Sequence, residues 1–210
     1  MIYTKYEVIA TGSSGNAVLI DDILVDCGIP YSRLKPYLAK ANYLLITHIH
    51  SDHVNKATFK KIKKLFPRIT IIGNHEVAQI YEVDIVANNG FPIQTKDYTF
   101  TPVEVPHDVL TYAYTWVTKS DERVLYVTDT YDLSNISETL KYKYDLLFLE
   151  SNHDEKKLEA VKGASKKYGY DVYWNGKRHL STQQSKGFYY THRKDKDSVW
   201  IELHQSSRFY

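Results

Sequence analysis

Seven consecutive residues, Thr47-His48-Ile49-His50-Ser51-Asp52-His53, place three imidazoles and a carboxylate within six positions. Imidazole nitrogens and carboxylate oxygens are ligands for first-row transition metals. Crowding them so closely is unfavourable unless something binds them. On an extended strand end, His48 and His50 project to the same side, because strand side chains alternate with period two. If the chain then turns into a helix, Asp52 and His53 face back toward a second, adjacent position. The stretch reads as two half-built metal sites, and the rest of the chain must supply the other ligands.

The elements around it can be read from pattern. An apolar run, Tyr43 to Thr47, predicts a buried strand that delivers the cluster at its C-terminal end, where α/β proteins commonly place sites. Asn55 to Phe66 predicts a helix with Ala57, Ile62, Leu65 and Phe66 roughly on one face. Its other face carries Lys56, Lys60, Lys61, Lys63 and Lys64. That face reads first as solvated, and in a sharper reading as a phosphate-attracting rim.

Further polar residues fall at the ends of apolar runs. His107 follows Val103-Glu104-Val105, Asp129 follows Val124 to Thr128, Glu150 follows Leu146 to Leu149, and His204 follows Val199 to Leu203. Repeated placement at strand ends is what a site on one rim of a sandwich requires. Strands are also expected at Tyr6 to Ala10, Ile69 to Ile72, Asp84 to Val86, Asp97 to Val105 and Tyr112 to Thr118. Ala17 to Ile20 and Ile23 to Asp26 read as a hairpin about Asp21-Asp22. Helices are expected at Ser32 to Ala39, His75 to Tyr81, Asp154 to Lys167 and Ser181 to His192, the last capped by Ser181 or Thr182. Strands alternating with helices predict an α/β chain with two sheets packed face to face and helices outside.

Bulk composition adds limits. The chain has 210 residues, consistent with one domain over residues 1–210 and a substantial core. Hydrophobic content of 43% and charged content of 25% are ordinary for a soluble protein. A net charge of +2 does not by itself indicate nucleic acid. No run of eighteen apolar residues predicts a membrane span, and the N-terminus does not read as a signal peptide. One Cys cannot form an internal disulfide, so a reducing, cytoplasmic setting is expected.

The Thr47 to His53 stretch resembles the signature of the metallo-β-lactamase superfamily. The resemblance extends to Thr11-Gly12-Ser13-Ser14-Gly15-Asn16, Val25-Asp26-Cys27-Gly28, Val105-Pro106-His107-Asp108 and Val127-Thr128-Asp129-Thr130. The opening turn, Glu150-Ser151-Asn152-His153-Asp154 and His179-Leu180-Ser181 look most like the WalJ-type branch. Leu203 to Tyr210 resembles the terminal motif of the tRNase Z endonucleases. The resemblance implies a four-layer αββα sandwich with a di-metal site at one edge. One metal would be held by His48, His50 and His107, the other by Asp52, His53 and His204, with Asp129 bridging. Zn²⁺ and Mn²⁺ both suit such N/O ligands. Two metals would activate a water and clamp the attacking and leaving oxygens. Asp52 would orient or deprotonate that water, and Asp26 would steady the His-rich loop. Glu150 and His179 would form the proton-shuttling pair for the leaving alkoxide. Either His179 or His204 could be the last metal ligand. His204 is preferred because it ends a strong strand.

Some chemistries are disfavoured. Zinc β-lactamases usually carry Cys where this chain has Asp129, and the lone Cys27 lies far upstream. Di-iron oxygen reductases replace the second His with Glu, whereas position 50 is His. Glyoxalase-type thioesterases lack the His-Leu-Ser and terminal Ser-Ser-Arg-Phe-Tyr features. Phosphodiester hydrolysis remains, with Arg208 as a phosphate contact. The expected substrate is a nucleotide, cyclic nucleotides included, as in related phage enzymes that disarm nucleotide-signalling defence. The alternative is a WalJ-like nuclease acting on DNA, and a third reading is a non-catalytic nucleotide-binding module. The family's habit of borrowing elements from a second subunit makes a homodimer plausible.

Overall fold

The computed structural model describes residues 1–163, 171–206 and 209. Its described residues form two six-stranded sheets with helices on their outer faces. The first sheet contains β1 (Tyr6–Ala10), β2 (Ala17–Ile20), β3 (Ile23–Val25), β4 (Tyr43–Leu45), β5 (Thr70–Gly73) and β6 (Ile85–Val86), in that spatial order. The second contains β7 (Ile93–Gln94), β8 (Thr99–Val105), β9 (Thr111–Val117), β10 (Arg123–Val127), β11 (Leu146–Glu150) and β12 (Val199–Leu203), also in sequence order across the sheet. Helices α1 (Tyr31–Leu38), α2 (Lys56–Leu65) and α3 (His75–Ile80) belong to the first half, and α4 (Ser134–Thr139), α5 (Glu155–Ala160), α6 (Val172–Gly176) and α7 (Thr182–His192) to the second. This is the αββα sandwich of the metallo-β-lactamase fold.

Alternation along each strand sorts the apolar residues into layers. Val18, Ile20, Ile23, Val25, Tyr43 and Leu45 meet Tyr114, Trp116, Tyr126 and Phe148 between the sheets. Their neighbours Leu19, Leu24 and Leu44 point the other way, onto Leu34, Leu38, Phe59 and Ile62 of α1 and α2. In the second sheet Leu125, Leu147 and Leu149 likewise face Ile136 of α4 and Phe188 and Tyr189 of α7.

Strand direction then fixes the rim. β3, β4 and β5 run parallel. β10, β11 and β12 run parallel to one another. β8 and β10 each pair antiparallel with β9, so β8 points the same way as β10. The C-terminal ends of β8, β10, β11 and β12 therefore share one edge of the second sheet.

Three details differ from the pattern reading. The buried face of α2 is Thr58, Phe59 and Ile62, while Ala57 and Leu65 are exposed. Phe59 is drawn in by its ring contact with Tyr81, a tertiary effect that helical periodicity does not contain. Helix α5 ends at Ala160 rather than running on to Lys167, and positions 164–167 lie outside the described residues. The short β7, α4 and α6 were not anticipated, each too brief to show a period. No helix among the described residues is long and apolar enough to cross a membrane.

Candidate metal centre

β4 ends at Leu45, and Asp26, just past β3, fixes what comes next. The Asp26 carboxylate accepts from the Thr47 backbone N–H at 2.9 Å and from the Thr47 hydroxyl at 2.9 and 3.1 Å. It also lies 2.7 Å from His53 Nδ1. Asp26 thus ties both ends of the histidine loop, and occupying Nδ1 leaves His53 Nε2 as the outward-facing nitrogen. Gly28 is required by the close approach of this loop. A Cβ there would sit 1.6 Å from the Asp52 carbonyl oxygen.

Asp129 lies at the centre. One carboxylate oxygen is 2.9 Å from His53 Nε2 and 3.4 Å from His48 Nε2, and the other is 3.2 Å from His204 Nδ1. Three donor groups share it. His48, His50, His107 and Asp129 form one, Asp52, His53, Asp129 and His204 a second, and Asp129, Glu150, His179 and His204 a third, with ligand atoms of each group within 4.8 Å of one another. His204 Nε2 and His53 Nε2 stand 3.8 and 3.7 Å from the Asp52 carboxylate. The ring nitrogens of half-buried His107 and Nε2 of His204 are screened from water and make no hydrogen bond, although His107 Nε2 lies 3.0 Å from the Asp108 carboxylate. Buried polar atoms are rarely left so. Two clusters of imidazole and carboxylate with orphaned nitrogens fit divalent cations with N/O preference.

Asp26, Asp129 and His204 all adopt positive φ, at 61°, 50° and 53°. Each turns the chain sharply as it leaves a strand. Left-handed backbone is uncommon outside glycine, with Asp and His among the residues that tolerate it, and it gathers at functional sites.

Beside Asp129 sits a second pair. His179 Nδ1 is 2.6 Å from Glu150 Oε1. The other Glu150 oxygen accepts from the Thr130 backbone N–H at 2.8 Å, which orients the carboxylate. His179 comes to 3.9 Å from Asp129 and groups with Glu150, Asp129 and His204. His204 belongs both to that group, with Nδ1 3.2 Å from Glu150 Oε1, and to the set with Asp52 and His53. Every residue singled out by its place after a strand comes to this one rim.

Electrostatics follow from burial and neighbours. Burial opposes a charged His53, yet the Asp129 and Asp26 carboxylates outweigh it and push its pKa up to about 10. Burial is likewise outweighed at His204, held well above the usual histidine range by Asp129, Asp52 and Glu150. For His48, burial and the adjacent His53 win, and its pKa falls well below normal. Burial lowers His107 too. Burial would raise Asp129, but His204, His53 and His48 hold its carboxyl well below the usual carboxylate range. Burial would lower His179, and Glu150 raises it nonetheless.

Pattern reading missed the residues that hold the site from behind. Asn16 of the opening turn is buried, donates to the Asp52 and Gly12 carbonyls at 3.2 Å, and lies 2.9 Å from His53 Nε2. The Thr11 hydroxyl accepts from the His204 backbone N–H at 2.6 Å. Asn152 donates to the His204 carbonyl at 3.0 Å. The Gly/Ser turn and the Glu-Ser-Asn stretch were visible as motifs, but only the fold shows what they clasp. His153 is buried against Phe209, and burial pushes its pKa down to about 4. His75 is exposed, and His192 stacks on Phe188 at 3.8 Å, away from the rim. Arg208 lies outside the described residues.

Comparisons with known proteins place this geometry. The profile of the Beta-lactamase superfamily domain matches residues 22–184. The exodeoxyribonuclease WalJ of Streptococcus pneumoniae strain D39 is 27% identical over 178 residues, covering 74% of this chain and 65% of WalJ. The chain therefore matches under two thirds of that relative's length. Among solved structures, YhfI from Bacillus subtilis is 19% identical with a TM-score of 0.70, over 98% of this chain and 88% of that one. The short form of human tRNase Z is 14% identical with a TM-score of 0.68, over 97% and 93% of the two chains. At these identities the two structures share the fold.

Proposed function

The chain belongs to the beta-lactamase superfamily, and we propose that it hydrolyses phosphodiester bonds, with DNA as its first substrate and two divalent cations as cofactors. The observation that carries this reading is the Glu150–His179 pair at 2.6 Å, set beside a carboxylate shared by two donor clusters. A leaving alkoxide needs a proton, and this pair stands where one can be given. The similarity to an exodeoxyribonuclease over most of the chain supports DNA.

His48, His50 and His107 would hold one cation, Asp52, His53 and His204 the other, with Asp129 between them. Zn²⁺ and Mn²⁺ both suit these donors. Bound there, the cations supply Lewis acidity and a nucleophile competent at neutral pH. The chain's own residues do the rest. Asp26 fixes the His53 ring so that Nε2 faces the site. The Asp52 side chain is 24% exposed, the most open carboxylate in the two donor clusters, and is placed to orient an attacking water and accept its proton. Glu150 favours the protonated form of His179, and His179 passes that proton to the departing oxygen.

A second reading has its own observation. A cavity of about 180 Å³ opens beside His179 and His204. Its lining mixes neutral hydrogen-bonding side chains, Ser13, Asn152, Asn175, Gln205 and Ser206, with the apolar Val172 and Phe209. Such a wall suits a base or sugar of a small nucleotide, cyclic nucleotides included. The test is to incubate the protein, loaded with Mn²⁺ or Zn²⁺, with bis-p-nitrophenyl phosphate, end-labelled single- and double-stranded DNA, and a panel of cyclic nucleotides. We expect release of p-nitrophenol and of nucleotides from DNA. Turnover of cyclic nucleotides with DNA left intact would favour the second reading. No hydrolysis of any, with metal content confirmed, would sink both.

A further inference from the structure

Helix α2 begins three residues after His53, and its solvent side is a row of lysines that the chemistry at the rim does not use. Lys56, Lys60 and Lys64 recur at i, i+4 and i+8, which puts them on one face over roughly 12 Å. Their neighbours are engaged elsewhere. Lys63 pairs with Asp84 at 2.6 Å and Glu82 at 3.8 Å, and Lys61 lies over the Tyr31 ring at 4.9 Å. Among the described residues, no acidic side chain lies within salt-bridge distance of Lys56, Lys60 or Lys64.

This row borders a groove of about 350 Å³ between α2 and the end of α3. Its floor is apolar, made by buried Phe59, half-buried Tyr81 and Ile80, which is 58% exposed, and Glu82, 3.8 Å from Lys63, also lines it. The groove is joined to the rim through Tyr81, whose hydroxyl donates to the carbonyl of Val54, the residue after His53, at 3.4 Å. Four lysines against one glutamate in the lining, with the half-buried Tyr81 ring and exposed Ile80 beside them, complement a polyanion that also carries flat apolar faces. Single-stranded DNA has both, because unpaired bases leave their faces open for stacking. Phosphates spaced 3.4 Å per strand along a duplex and wider in an extended strand would put about three within reach of a 12 Å row.

We infer that the α2–α3 groove is a docking track for single-stranded DNA, holding the strand's backbone on Lys56, Lys60 and Lys64 while the metal rim works on its end. This rests on the phosphodiesterase reading above and adds to it that the substrate is a strand rather than a single nucleotide.

Binding of fluorescein-labelled dT20 is measured by anisotropy across a salt series, in a His179→Ala background so that the strand is not cut. The triple variant Lys56→Gln, Lys60→Gln, Lys64→Gln is compared with the matching triple Lys→Arg. About 0.7 of log–log salt slope is expected per single-strand phosphate contact, so the glutamine triple should lose roughly 2 in slope. Its affinity at 50 mM salt should fall at least tenfold, and the arginine triple should keep both. Hydrolysis of bis-p-nitrophenyl phosphate by the two triples, made with His179 intact, should match the parent. An unchanged slope and affinity in the glutamine triple overturns the track. So does loss of binding to an acidic peptide with dT20 binding intact, which would make the groove a protein site. A parent that fails to hydrolyse the small ester, while the glutamine triple still loses its salt slope, would refute the catalytic reading and leave the track standing.

Discussion

His179 and His204 sit with stacked rings, their centroids 5.2 Å apart, and both reach the same Glu150 oxygen, His179 Nδ1 at 2.6 Å and His204 Nδ1 at 3.2 Å. They differ in that His204 also stands 3.2 Å from Asp129 and 3.8 Å from Asp52, whereas His179 comes only to 3.9 Å from Asp129. The two should separate in experiment. His179→Ala is expected to lower kcat by roughly 10²–10⁴-fold, the range for loss of a general acid, while both cations stay bound. Elemental analysis of that variant showing one cation would make His179 a ligand and refute the assignment. Glu150→Gln tests the same pair through pH. Glu150 raises the His179 pKa against the effect of burial, so His179 stays protonated to higher pH than a free imidazole. A proton donor is lost as pH rises through its pKa. Removing the carboxylate should therefore move the alkaline limb of the pH–rate profile to lower pH. A limb that stays in place would mean that another group supplies the proton.

At the scale of elements, helix α7 sets where His179 can be. Ser181 caps it by accepting from the Gln184 backbone N–H at 3.0 Å, and Gln184 reaches back to the Ser181 N–H at 2.9 Å. Ser181→Ala removes that reciprocal cap, worth about 1 kcal/mol, and should lower the melting temperature by about 2–4 °C with metal content unchanged. A drop in bound metal instead would show that the cap also positions the ligands. This cap was legible in the sequence, as were the strand ends carrying His107, Asp129, Glu150 and His204. Both are local signals, in which a polar residue breaks an apolar run at a place the backbone must turn. What was not legible is long-range. Nothing near Asn16 announces that its amide will clasp a loop thirty-six residues away, and nothing in α2 announces that Phe59 rather than Leu65 will join Ile62 on its buried face. His179 and His204 are hard to separate in the sequence for the same reason. Both follow recognisable motifs and both reach Glu150, and what favours His204 as the ligand is its nearness to Asp52.

Across the whole molecule, the two donor clusters join the two sheets. The first half of the chain supplies His48, His50, Asp52 and His53, and the second supplies His107, Asp129 and His204. Cations bound there would tie the sheets at one edge and favour the native over the unfolded chain. At a free concentration of 100 times Kd, one site adds about 2.7 kcal/mol, or roughly 5–11 °C for a chain of this size. Chelation should remove that gain, and pH should change its size in a definite direction. Without metal, His53 keeps its proton up to about pH 10, against about 6.5 in an unfolded chain. A raised histidine pKa contributes stability that is fully present below 6.5 and is lost as pH climbs toward 10. His204, also raised, acts in the same sense. The depressed carboxylates Asp129 and Glu150 titrate below this window and stay constant across it. Metal binding needs neutral imidazole, so uptake releases these protons and tightens as pH rises. The chelated protein should therefore melt at lower temperature as pH goes from 6.5 to 9, while the gap between metal-loaded and chelated forms widens. Calorimetric scans of both forms over that range, with proton release followed by titration in buffers of different ionisation enthalpy, measure the effect. A gap that narrows with pH, or metal uptake with no proton release, would mean that His53 and His204 are not the groups the cations displace protons from.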